Sequence, residues 1–204
     1  PARASQTALQ RVDSVTPIPS AISEPLRGFL AEVREAKRRK LVSGYRHTPT
    51  NAREALEVMT RAFVTQVPDI PLVRDELVPS LDYAVPIRLY HPNPGEALPV
   101  ALFVHGGGHV TGSVSLYDPI ARKLAQASRW LVVSVEYRLA PECPYPSALR
   151  DLVAAIKGIV PLLSSLEPAI RFVPRLALIG ESGGGATAPA RRIYASSTRG
   201  LPSS

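Results

Sequence analysis

A serine flanked by glycines, in the stretch GESGG at residues 180–184, is the residue of this sequence best suited to act as a nucleophile. The stretch matches Gly-x-Ser-x-Gly and follows an apolar run at 176–179. On a tight turn between a strand and a helix, a serine hydroxyl projects from the strand end, and flanking glycines allow the strained backbone. The N-terminus of the following helix also favours a developing negative charge. We therefore predict that Ser182 is a nucleophile.

A second glycine-rich stretch, HGGG at residues 105–108, follows the apolar run at 99–104. A glycine loop there can turn backbone N–H groups towards a substrate carbonyl oxygen, and the N–H of Gly183, the residue after the nucleophile, can join them. Each donor of such an oxyanion hole is worth about 3 kcal/mol in acyl transfer. The alternatives are a flexible turn or a phosphate-binding loop. Nucleotide binding is the weaker interpretation, because the P-loop pattern and the acidic ribose partner of a dinucleotide site are both absent from the sequence.

Composition narrows the class of protein. The chain has 204 residues, of which 45% are hydrophobic and 20% charged, as in an ordinary globular domain. Its formal net charge of +7 favours solubility but identifies no partner. The lone Cys143 excludes an intrachain disulfide and a cysteine-cluster metal site, so we expect a cytoplasmic protein without a metal. We predict no signal peptide, because the N-terminus lacks a continuous apolar segment, and no membrane span, because no run of about 18 apolar residues occurs.

The elements that must position these motifs follow a proline-containing arm at residues 1–20, which we expect to be flexible. Apolar residues at helical spacing then predict an amphipathic helix; they are Leu26, Phe29, Leu30, Val33 and Ala36. Asn51 and Glu54 form a capping-box pattern at the start of a second helix. Extended runs at 72–78 and 87–90, broken by prolines, predict antiparallel strands at one edge of a sheet.

The central part of the chain alternates between strand and helix patterns. An apolar run typical of a strand buried on both faces lies at 99–104, another typical of a buried strand lies at 130–135, and one more apolar run lies at 176–179. Between them, Asp118 followed by Pro119 is typical of a helix start, and Ser147 is typical of a helix cap. This alternation predicts an α/β fold with a mostly parallel sheet and helices on both faces.

Three motifs stand in the order and approximate spacing of a known family: HGGG at 105–108, YRLAPE at 137–142 and GESGG at 180–184. The chain resembles the bacterial carboxylesterases and lipases of the hormone-sensitive-lipase type, or family IV, which have the α/β-hydrolase fold. The resemblance implies a serine esterase that hydrolyses small carboxylic esters with short to medium acyl chains and needs no cofactor. It also implies a helical cap region at 21–66 and a partial hydrolase core at 67–204.

The same resemblance implies a role for each residue of the two glycine motifs. The matching positions are Ser182 for the nucleophile, Gly107, Gly108 and Gly183 for the oxyanion donors, and His105, Gly106 and Glu181 for residues that shape the site. His105 is therefore not expected to be the general base. The segment 137–142 is expected to be structural and to support the floor of the site by packing and by an ion pair of Arg138 or Glu142.

The sequence departs from the family pattern after the nucleophile. The chain order of this fold is Ser, then Asp or Glu, then His, yet none of residues 183–204 is acidic or a histidine. The four histidines all precede Ser182; they are His47, His91, His105 and His109. Because a serine hydroxyl without a base in reach is a weak nucleophile, we expect a chain that is truncated at its C-terminus and impaired on its own. The alternative is a non-catalytic remnant that binds a ligand.

A run of basic residues at 37–40, with Arg34 before it, raises the possibility of a surface for nucleic acid or anionic lipid. Charge runs on an amphipathic helix are more often its solvated face, and neither interleaved aromatic residues nor a recognised binding module accompanies this one. We therefore expect no nucleic-acid partner.

Overall fold

The computed structural model describes residues 22–81 and 83–187. The predicted arm at 1–20 and most of the segment after Ser182 lie outside the described residues. The chain divides into two compact units, Pro1–Thr48 and Pro49–Ser204. No helix within the described ranges is both long and apolar enough to cross a lipid bilayer.

The first unit contains the predicted amphipathic helix, α1, at Glu24–Val42. Its first turn carries Glu24 and its last turn basic residues, the arrangement that the helix dipole favours. Glu35 accepts hydrogen bonds from Arg38 and Arg39, each at 3.0 Å. Two cations of the basic run are therefore paired within the helix itself.

The second unit begins with helix α2, Pro49–Phe63. The predicted start at Asn51 was wrong by two residues, because proline suits the first turn of a helix, where its missing N–H is not needed. Neither α1 nor α2 tests the assignment of residues 21–66 to a cap, which stays a prediction.

A five-stranded sheet forms the centre of this unit, in the order β1-β2-β4-β3-β5. Its strands are β1 Leu72–Val78, β2 Val85–His91, β3 Leu98–Val104, β4 Leu131–Val135 and β5 Phe172–Gly180. Strand β2 pairs antiparallel with β1 and β4, whereas β3 pairs parallel with β4 and β5. The antiparallel edge and the parallel α/β centre predicted from the sequence are both confirmed.

Two helices cover opposite faces of the sheet: α3 at Val114–Ser128 and α4 at Ser147–Ser165. Alternate residues of β3 enter different cores. Leu102 packs in the core that contains Ile159 of α4, whereas Phe103 packs in the core that contains Ala121 of α3. The predicted burial of β3 on both faces is therefore confirmed.

The start of α3 corrects a sequence-based prediction. The helix begins at Val114, where the Ser113 hydroxyl accepts a hydrogen bond from the Leu116 N–H at 3.0 Å, and Pro119 lies inside it. Asp118 does not cap the helix, since its carboxylate instead accepts hydrogen bonds from Arg88, Tyr90 and Arg122; it was therefore wrongly predicted as a cap.

Helix α4 carries the acid of a buried ion pair. It begins at Ser147 with Pro146 in the cap position, so the prediction of Ser147 as the cap was also wrong. Asp151 accepts hydrogen bonds from the Arg138 N–H at 2.9 Å and from its guanidinium, the shortest at 2.6 Å. The Asp151 side chain is only 2% exposed, and Arg138 is 25% exposed. This pair fixes the loop after β4 onto α4.

We expect Asp151→Asn to lower the free energy of unfolding by about 2–3 kcal/mol, because it leaves the Arg138 guanidinium without its counter-charge in a mostly buried place. Urea unfolding followed by circular dichroism measures the change. Glu57→Gln is the matched control: it breaks the exposed ion pair with Arg61 and should cost less than about 0.5 kcal/mol. Equal losses in the two variants would contradict the assigned role of Asp151.

Candidate active site

The turn that presents Ser182 lies between the end of β5 and a helical turn at residues 183–187. Ser182 has a φ of 48°, in the left-handed region, and its side chain is exposed. The Glu181 N–H donates to the Val104 carbonyl at 3.1 Å, and the Gly184 N–H donates back to Glu181 at 2.8 Å. The turn is thus tied to the end of β3 and holds a strained, accessible serine.

The loop between β3 and α3 carries the second glycine motif, also in left-handed conformations. Gly107 has a φ of 109° and Gly108 a φ of 62°. The Gly107 carbonyl accepts the N–H groups of Val110 and Thr111 at 3.1 and 3.0 Å, which closes the loop into a compact turn. Within the described residues, the N–H groups of Gly107, Gly108 and Gly183 donate to no acceptor.

The two glycine motifs meet through their backbones. A Cβ added to Gly183 would lie 3.0 Å from the Gly108 nitrogen and 3.1 Å from its Cα. The amide of the residue after Ser182 therefore lies next to the loop that holds Gly107 and Gly108. Two separate chain segments that carry N–H groups without an acceptor among the described residues therefore lie side by side next to Ser182.

The residues predicted to shape the site surround the glycine loop. The fully buried His105 ring stacks between Tyr137, at 4.3 Å between centroids, and Tyr117, at 5.3 Å. Tyr117 donates to the Glu181 carboxylate at 3.0 Å, and burial raises the pKa of Tyr117 to about 12. Gly106 leaves room for Glu181, whose carboxylate a Cβ at that position would overlap.

His105 is held as a neutral ring. Its Nδ1 lies 2.8 Å from the Gly106 carbonyl oxygen, which can only accept, so Nδ1 carries the proton. Burial lowers the pKa of His105, which opposes any second proton. The ring therefore acts as a spacer in the glycine loop.

His109 connects the glycine loop to the helical turn after Ser182. The Thr187 hydroxyl donates to the Gly183 carbonyl at 2.9 Å and therefore accepts from His109 Nε2, 3.0 Å away. His91 contacts the Arg171 carbonyl through Nε2 at 2.8 Å. Within the described residues, no histidine hydrogen-bonds to the Ser182 hydroxyl.

Three residues that support the site were not singled out from the sequence: Arg53, Glu136 and Asp151. Glu136 accepts the Val114 N–H at 2.7 Å and so holds the first residue of α3. Arg138 pairs with Asp151, and Glu142 pairs with Arg53. Both charged residues of the segment 137–142 therefore form ion pairs. A single acid or arginine, on a helix or in a loop, has no sequence signal that separates it from a solvated charge.

His109 and Thr187 line an apolar cavity of about 310 Å³. Its wall includes Ala140, Cys143 and Leu149, with Arg138 at one side. A space of this size accepts a small apolar group.

Comparison with known proteins shows the family to which the chain is similar. A profile of the α/β hydrolase fold family matches residues 101–202. The carboxylesterase NlhH of Mycobacterium tuberculosis is 39% identical over 104 residues, which are 50% of this chain and 31% of that protein. The ethyl acetate hydrolase of Pseudomonas putida is 37% identical over 109 residues, 52% of this chain and 33% of that protein.

Solved structures show the same likeness. The Pyrobaculum calidifontis esterase superimposes with a TM-score of 0.71 at 30% identity, covering 87% of this chain and 54% of its own. The matched segment spans about a third of the length of the curated relatives named above. The family profile covers half of the chain, over the sheet centre and both glycine motifs. The chain belongs to the α/β-hydrolase fold family, in its hormone-sensitive-lipase-like group.

Proposed function

We propose that this protein is a serine hydrolase of small carboxylic esters with short to medium acyl chains, in which Ser182 is the nucleophile. The observation that carries the proposal is the close approach of Gly183 to Gly108 beside the left-handed turn at Ser182, since the N–H groups of both glycines lack an acceptor among the described residues. The esterases among its relatives support the reaction class. The lone Cys143 supports a cytoplasmic setting.

In the proposed reaction the Ser182 oxygen attacks the ester carbonyl carbon while its proton passes to a base. The carbonyl oxygen becomes an anion and accepts hydrogen bonds from the N–H groups of Gly107, Gly108 and Gly183. The intermediate collapses, the alcohol leaves with a proton, and water then hydrolyses the acyl-serine. The cavity beside His109 supports a small acyl or alcohol group.

A ligand-binding protein without turnover is the second candidate. The lack of a histidine on Ser182 within the described ranges favours it, since catalysis needs a base in hydrogen-bond reach. Both candidates use the same N–H groups, but only the esterase forms a covalent acyl-serine.

Covalent labelling tests the proposal. We expect a p-nitrophenyl alkylphosphonate, which mimics the tetrahedral intermediate, to modify Ser182 and no other serine. Peptide mass spectrometry identifies the labelled residue, with Ser165→Ala as a control that keeps the label. Label that is spread over several exposed serines, or absent from Ser182, would contradict the esterase proposal and favour the ligand-binding protein.

A further inference from the structure

Arg53, on helix α2, reaches two loops of the candidate site with one guanidinium group. Its Nε donates to the Val110 carbonyl at 2.8 Å, and its Nη2 donates to the Ala140 carbonyl at 3.1 Å. The same group donates to both oxygens of Glu142, at 2.8 and 2.7 Å. Four hydrogen bonds to three residues fix the orientation of the planar group.

The two loops that Arg53 joins also contact each other. The Ala140 N–H donates to the His109 carbonyl at 2.8 Å, so the loop after β4 lies directly on the glycine loop. Val110 is two residues beyond Gly108, and its own N–H closes the turn on Gly107. A shift of the Val110 carbonyl would therefore move the turn that presents the proposed oxyanion donors.

The hydrogen bonds of Arg53 to backbone carbonyls, rather than its ion pair with Glu142, are what join the two loops. Its side chain is 36% exposed and that of Glu142 is 59% exposed, and exposed ion pairs contribute little to stability. The contacts with two backbone carbonyls are directional, and a lysine cannot reproduce the fork that makes them. Arg61 also forms an ion pair, but its partner Glu57 lies on the same helix. Arg53 differs from Arg61 in the geometry of its contacts and not in its charge.

We propose that Arg53 is a positioning residue that holds the turn at Gly107 and Gly108 in the geometry of an oxyanion hole. This inference rests on the proposed esterase function. It makes helix α2 part of the active-site support, because the helix carries the group on which both loops converge.

The test compares Arg53→Lys with Arg61→Ala in the full chain. We expect Arg53→Lys to slow phosphonylation of Ser182 by about tenfold or more, since small displacements of catalytic groups have effects of this size. Arg61→Ala should react like the unmodified protein. Glu142→Gln, which removes the charge but leaves both carbonyl contacts, should slow the reaction by no more than about threefold.

A second readout does not depend on reaction. Hydrogen–deuterium exchange of a peptide that spans residues 106–112 reports the turn, because the Val110 and Thr111 N–H groups close it. We expect faster exchange there in Arg53→Lys, at an unchanged urea midpoint, and no change in Arg61→Ala. If no protein labels Ser182, the proposed function fails and exchange alone decides the role of Arg53. Unaltered exchange in Arg53→Lys overturns the inference, as does a full labelling rate in that variant.

Discussion

Replacement of Ser182 by alanine is expected to abolish formation of a butyryl-enzyme from p-nitrophenyl butyrate, together with the slow hydrolysis that proceeds through it. The reason is that the acyl group must pass through the serine oxygen, and Ser182 carries the only hydroxyl of residues 180–185, which form the turn beside Gly108. Initial rates of p-nitrophenolate release measure the effect. Ser165→Ala, at an exposed serine of α4, should hydrolyse at the unmodified rate.

Within the described residues, no histidine hydrogen-bonds to the Ser182 hydroxyl. We therefore expect added imidazole, a mobile base, to raise the Ser182-dependent rate. Imidazole also cleaves activated esters by itself, so the rate of Ser182→Ala is subtracted at each concentration. Identical rates for the two proteins at every imidazole concentration, with no acyl group on Ser182 by mass spectrometry, would falsify the proposed nucleophile.

Gly184→Ala is expected to lower the free energy of unfolding by about 3 kcal/mol, near the upper end of overpacking effects. A Cβ at this position would lie 2.6 Å from the His105 carbonyl oxygen and closer still to that of Val104. Both oxygens belong to backbone at the end of β3, which cannot move without breaking the hydrogen bond from Glu181 to Val104.

Gly183→Ala is the neighbouring control for this change. Its added Cβ would keep 3.0 Å from the nearest atom, the Gly108 nitrogen, so a shift of a few tenths of an ångström relieves it. We expect a loss of about 1 kcal/mol or less, measured by urea unfolding of both variants. A loss at Gly184 no larger than at Gly183 would show that the turn and β3 are not packed as closely as described.

The strands were predicted correctly from sequence because each is a run of residues of a recognisable type. Continuous apolar runs predicted β3, β4 and β5, and extended runs broken by prolines predicted β1 and β2. It failed at helix starts, where Asp118 resembles a cap but is held by Arg88 and Arg122. Asp118 lies inside the helix, because the helix begins earlier, where Ser113 caps it. The partner Arg88 lies on strand β2, and a local sequence pattern does not reveal it.

The sequence by itself determined the α/β class, the glycine motifs and Ser182 as the candidate nucleophile, because these depend on residue type and short-range spacing. Only the tertiary structure decided the strand order, the contact of Gly183 with Gly108, and the convergence of two loops on Arg53. Arg53 and Glu142 are far apart along the chain, and their bond forms because packing of the sheet and helices brings those segments together. Hydrogen bonds across such separations depend on the completed fold, which local residue preferences do not encode.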